Sequence, residues 1–143
     1  AMIYFDAAYI AKFYLEEADS ARVRELAEDA GEVACCLHGR IEVLIAFHRK
    51  LRERAFSAKS FATICEQFEA DCNEAVWLWL PISVKLITDL AARLPRLGSS
   101  VFLRSADALH LASAAEQGFK EIYSNDRHLL AAASSFGLRG VSV

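Results

Sequence analysis

At 143 residues the chain is close to the roughly 150 expected of one domain, and an apolar fraction of 55% with a mean hydropathy of +0.21 supplies a real core, which excludes a disordered chain. A net charge of −3 and a pI of ≈ 5.8 give no global attraction to nucleic acid, so any such role needs a local basic patch or a metal to bridge phosphate. No apolar run approaches the ~18 residues that cross a bilayer and no secretory leader pattern opens the chain, so a cytoplasmic protein with no membrane partner is expected.

In chain order, the apolar run Met2 to Phe5 predicts a first buried strand, and Tyr9, Ile10, Phe13 and Tyr14 recur at helical spacing after it. Asp19-Ser20 offers an N-cap for a second helix and Gly31 a C-terminal stop. Val33 to Leu37 reads as the second strand. Ile41, Leu44, Ile45, His48 and Leu51 then form one helical stripe, flanked by Arg49, Lys50, Arg52 and Arg54. Ser57 caps a further helix whose inner face carries Phe61, Ile64, Cys65, Phe68 and Cys72.

Val76 to Leu80 is a third strand stopped by Pro81, with Trp77 and Trp79 on one face. Ser83 caps a helix with Ile87, Leu90, Ala91 and Leu94 inward, and Pro95 ends it. Ser105 is expected to cap the helix carrying Asp107, Ala108, Leu111, Ala112 and Ala115. Glu121 to Ser124 is a strand, Asp126 caps a last helix that Gly137 ends, and Leu138 to Val143 is an edge strand. Strands alternating with helices predict an α/β fold: a three-layer α/β/α sandwich around a mostly parallel sheet of four to five strands, with residues 2–143 as a single domain. Cys35, Cys36, Cys65 and Cys72 lack the spacing of a zinc knuckle and read as free thiols in a reducing compartment.

Four acidic residues share a pattern that the other acids lack. Asp6 and Asp126 each close an apolar strand; Glu42 and Asp107 each open a helix. In an alternating fold, strand C-termini and helix N-termini lie on one edge of the sheet, where such folds bind ligands. Singly, each residue has an ordinary role as a cap, a turn residue or a complement to the helix dipole. Together they predict carboxylates converging on one spot, which repel one another unless a hard cation neutralises them. Without metal, several of them should then titrate above their usual range.

These segments resemble the PIN (PilT N-terminal) family. Met-Ile-Tyr-Phe-Asp6 is similar to its opening, Glu42 to its second acid, Ser105-Ala106-Asp107-Ala108-Leu109-His110-Leu111-Ala112 to its third acidic segment and Tyr123-Ser124-Asn125-Asp126-Arg127 to its fourth. At this size the likeness is to VapC-type toxins of prokaryotic toxin–antitoxin pairs. The resemblance implies a Mg²⁺- or Mn²⁺-dependent endoribonuclease, with one or two ions held by Asp6, Asp107 and Asp126, and Glu42 completing the catalytic ring and orienting the attacking water. It also implies a small antitoxin partner and a homodimer. Ser124 and Asn125 are expected to support the site. The chain departs from the family at Asp6-Ala7-Ala8, where a hydroxyl usually follows the first acid.

Arg104, Arg127 and Arg40 are candidate contacts to RNA phosphate, whereas the basic run from His48 to Arg54 reads as a solvated helix face. His110 is read as a core histidine satisfied by a hydrogen bond, within reach of the site. Two alternatives stand beside the nuclease: a catalytically silent PIN-like binding or scaffold subunit, and a receiver-type phosphoacceptor domain, which would want paired acids near the first strand and a late lysine that this chain lacks.

Overall fold

The computed structural model describes residues 1–143. Five short strands alternate with seven helices: β1 (Met2–Tyr4), α1 (Ala7–Tyr14), α2 (Ser20–Ala30), β2 (Glu32–Cys36), α3 (Gly39–Arg52), α4 (Ala58–Asn73), β3 (Trp77–Leu80), α5 (Val84–Arg93), α6 (Ser105–Glu116), β4 (Glu121–Tyr123), α7 (Arg127–Ala132) and β5 (Arg139–Val141). Every pairing is parallel. β2 lies between β1 and β3, with Ile3 opposite Val33 and Val33 opposite Trp77, while β4 pairs with β5. A single bridge from Phe5 to Tyr123 joins the two pieces, giving the order β3-β2-β1-β4-β5.

That order places the site. From β1 the chain winds outward to β2 and β3, and from β4 it winds the other way to β5. The two connections diverge, so a crevice opens above the C-terminal ends of β1 and β4, the switch point where parallel sheets hold ligands.

Strand alternation divides the core in two. Phe5, Val33, Cys35 and Trp77 face one side with Ile10, Val23, Val43, Phe47 and Phe68 from the first four helices. Tyr4, Ala34, Cys36, Leu80 and Ile122 face the other with Leu90, Leu111, Leu129 and Phe136. These layers give the three-layer α/β/α sandwich that the alternation of elements predicts. The predicted caps hold at Ser57 and Ser83, whose hydroxyls accept from Ser60 N and Leu86 N, and Gly31 ends α2 at φ 80°, where a side chain would be strained.

Three local expectations fail. The buried face of α3 is Gly39, Val43 and Phe47; Ile41 and Ile45 are exposed. That helix is apolar on two faces, and i, i+4 packing onto α1 and α4 selected the other one. In α5, likewise, Leu86 and Leu90 point inward and Ile87 outward, and Leu94, just past its end, is exposed. Ser105 is the first residue of α6, after Arg104 at the cap position, and makes no capping bond.

Phe47 is fully buried and packs edge-on against Tyr14 and Phe68. Phe47→Ala is expected to lower unfolding free energy by about 3–5 kcal/mol, read from urea denaturation; a loss under ~1 kcal/mol would place Phe47 outside the core.

Candidate active site

Asp6 follows the last paired residues of β1 and caps α1. Its Oδ1 accepts from the Tyr9 backbone N–H at 3.0 Å, and its Oδ2 accepts from the Ser124 hydroxyl at 2.5 Å. The side chain is buried, with 6% exposure, and it has no ion-pair partner. Burial pushes its carboxyl above the usual range, against the pull of the Ser124 and Tyr9 hydrogen bonds. Ser124 also accepts from the Asp126 N–H at 2.9 Å. Ser124, directly after β4, thus ties the ends of β1 and β4 together, and no hydroxyl stands at Ala7-Ala8.

Asp126 caps α7, with Oδ1 accepting from the His128 and Leu129 N–H groups at 2.8 and 3.1 Å. Its other oxygen accepts from Arg104 Nη2 at 2.5 Å, while Arg104 Nε donates to Asp107 Oδ2 at 3.0 Å. Arg104 is therefore a positive clamp across two of the four acids. Asp107 is buried on the first turn of α6. Asn125 accepts from the Tyr9 hydroxyl and donates to Asp19, which fixes the turn before Asp126.

Glu42 lines the opposite wall. His110 Nε2–H donates to its Oε1 at 2.7 Å, and the His110 Nδ1 accepts from the Tyr4 hydroxyl at 2.7 Å, which in turn accepts from the Cys36 N–H. In this tautomer the ring bridges the Glu42 carboxylate and the Tyr4 hydroxyl. His38 Nε2 lies 3.3 Å from the same Glu42 oxygen. Gly39 lets α3 start this close to β2: a Cβ there would meet Cys35 Sγ at 2.4 Å and His110 Cε1 at 3.4 Å.

Asp6, Glu42, Asp107 and Asp126 thus line one cleft of ≈ 460 Å³, together with Ala7, Ala8, Ile45, Ala46, Arg49, Arg104, Ala106, His110 and Leu129. Their titration departs from expectation. Burial alone would raise Glu42 and Asp126, yet the His110 hydrogen bond lowers the first, and backbone N–H groups with Arg104 lower the second. Hydrogen bonds and positive neighbours outweigh burial at Glu42 and Asp126, whereas at Asp6 burial prevails and the carboxyl moves up.

The basic residues also sort differently. Arg104 is in the cleft. Arg40 is bound to Glu69 on α4 at 2.6 Å, and the exposed Arg127 is not part of the cleft wall. Arg49 is exposed, as expected of a solvated face, and also lines the cleft. Its spacing of seven from Glu42, two helical turns, is the signal that places both on one side.

The donor set is all oxygen, which suits a hard divalent cation; Asp6 is a buried carboxylate without a counter-charge, and Arg104 already holds a positive group between Asp107 and Asp126. These residues fit such an ion.

A parallel sheet carrying acids from the ends of β1 and β4 and the starts of α3 and α6 defines the class of the protein. The family model for the PIN domain matches residues 3–134, and the chain belongs to that family, whose members are in general metal-dependent nucleases. No curated protein matches the chain. Membership sets aside the receiver-type alternative. No helix is long and apolar enough to cross a membrane.

Two outcomes test this geometry. Asp6→Asn removes a buried charge, so its melting temperature in chelator at pH 7 should exceed that of the wild type. A carboxyl raised above its unfolded value of 3.8 destabilises the fold only once it ionises, so the advantage should shrink as pH falls through the folded value and vanish below 3.8. An unchanged difference across that range would remove Asp6 as its cause. Gly39→Ala forces α3 away from Cys35 and should cost about 1–3 kcal/mol in chemical denaturation; a neutral substitution would mean that the close approach carries no constraint.

Proposed function

We propose that the protein is a Mg²⁺- or Mn²⁺-dependent endoribonuclease, the toxin of a toxin–antitoxin pair, with residues 2–143 acting as one PIN-domain unit in the cytoplasm. The observation that carries this reading is the buried, unpaired Asp6 carboxylate at the switch point, in one cleft with Glu42, Asp107 and Asp126. Asp6, Asp107 and Asp126 would hold one or two ions. Such an ion, when bound, lowers the pKa of an attacking water and offsets charge on the scissile phosphate.

The chain's own residues do the rest. Ser124 and the Tyr9 N–H hold Asp6 in one orientation, so its free lone pairs face the cleft without reorganisation. Glu42, kept ionised by His110, accepts a hydrogen from the water and orients it toward phosphorus. Arg104 is more than half exposed and its ion pairs are screened by solvent, so the guanidinium is free to leave Asp107 and Asp126 and pair with a phosphate oxygen. Arg49, on the cleft wall, is placed for a flanking phosphate. A local cationic pair thereby answers the chain's net negative charge. An antitoxin and a homodimer belong to the same reading; the exposed Val84, Ile87 and Leu94 on and after α5 are one apolar surface available for self-association.

Purified protein should cleave RNA in Mg²⁺ or Mn²⁺ and not in chelator. Asp6→Asn and Asp126→Asn should each lower the rate by roughly a hundredfold or more while remaining folded by circular dichroism. Undiminished cleavage by both variants would end the assignment.

A further inference from the structure

The Glu42 wall carries a second group of ligating atoms, chemically unlike the acids around Asp6. His38 and Glu42 are four residues apart where α3 begins, so their side chains share a face; His110 reaches the same point from α6. His110 Nε2 and His38 Nε2 lie 2.7 and 3.3 Å from one Glu42 oxygen, all three atoms fall within 4.8 Å of one another, and the imidazole centroids are 4.3 Å apart. Ligands of a tetrahedral zinc ion at ~2.0–2.2 Å stand roughly 3.3–3.6 Å from one another, so a small adjustment brings all three onto one ion.

Two imidazoles and one carboxylate, with a side open to the cleft, are the donors of open zinc sites, and imidazole nitrogen is a poor ligand for Mg²⁺. We propose that His38, Glu42 and His110 form a site for a borderline transition-metal ion such as Zn²⁺, and that filling it draws Glu42 away from the acids around Asp6 and inhibits the nuclease. The binding half stands alone; the inhibitory half rests on the proposed endoribonuclease.

The proton positions allow it. His110 now bears its hydrogen on Nε2 and accepts from Tyr4 at Nδ1. For Nε2 to bind metal, the hydrogen shifts to Nδ1 and the Tyr4 hydroxyl reverses to accept it, turning its own hydrogen to the adjacent Cys35 thiol. The buried Tyr4 then orients the ligand from behind, as such partners do at metal sites. His38 is lightly held: one 3.1 Å bond joins its Nε2 to the Ala106 carbonyl, and its buried Nδ1 has no partner. For Nε2 to bind metal its hydrogen, now donated to the Ala106 carbonyl, shifts to Nδ1, so the cost of recruiting His38 is that one bond together with a buried Nδ1–H that has no acceptor.

Co²⁺ tests this, because four-coordinate Co²⁺ absorbs visible light far more strongly than six-coordinate Co²⁺ on oxygen. One equivalent added to the wild type should give the strong band, and Zn²⁺ should abolish it where excess Mg²⁺ does not. His38→Ala and His110→Gln, checked for folding by thermal melts, should lose the band, and Asp107→Asn should keep it. Only weak absorption in the wild type, or a band lost in Asp107→Asn and kept in the half-buried His38→Ala, would overturn the site. In RNA cleavage with Mg²⁺, Zn²⁺ should slow the wild type about tenfold or more and leave the rate of His38→Ala within about twofold of its own zinc-free value. Zinc bound without slowing cleavage would overturn the inhibitory half. A strong band in a protein that cleaves no RNA would leave the metal site standing and remove the nuclease instead.

Discussion

A negative charge buried without a counter-ion is the constraint on which this structure turns. Asp6 sits at the end of a central strand, where the backbone must stop pairing and turn into α1, and its carboxylate satisfies the Tyr9 N–H as any helix cap does. A cap needs no burial. Here β4 passes beside it, Ser124 closes over the second oxygen, and the group loses its water. Hydrogen bonds recover part of that cost but supply no positive charge. A site left short of charge compensation in the folded protein gains stability from whatever cation enters it, and function and fold are coupled at that one carboxylate.

The rest of the cleft follows from how the charges nearby are managed. Asp107 and Asp126 share Arg104, and Glu42 is held by His110, so three of the four acids are already paired within the chain. The pairings differ in kind. Arg104 is solvent-exposed, so its ion pairs are weakly held, whereas the Cys36–Tyr4–His110–Glu42 chain is buried along most of its length.

How much of this was legible in the chain depends on whether the signal was local. Asp6 and Asp126 stand out because each ends an apolar run, and both cap helices as local geometry requires. The layer order was legible because strand and helix alternate. Ser124 could be named as a support because it neighbours Asp126, but its bond to Asp6 spans 118 positions and depends on the Phe5–Tyr123 bridge. The bond from His110 to Glu42 is hidden for the same reason, because 68 residues separate the two, whereas His38 stands only four residues from Glu42. Where a helix offers two apolar faces, as α3 and α5 do, periodicity does not say which is buried, and that ambiguity is why Ile41 reads as core in the sequence and is exposed in the fold.

The most direct measurement is a crystal soaked in Mn²⁺ and read by anomalous scattering. A peak within coordination distance of an Asp6 oxygen, shared with Asp107 or Asp126, is expected, with Arg104 swung out of its present bridge. A peak elsewhere on the molecule, or no peak with Arg104 unmoved at high Mn²⁺, would contradict it.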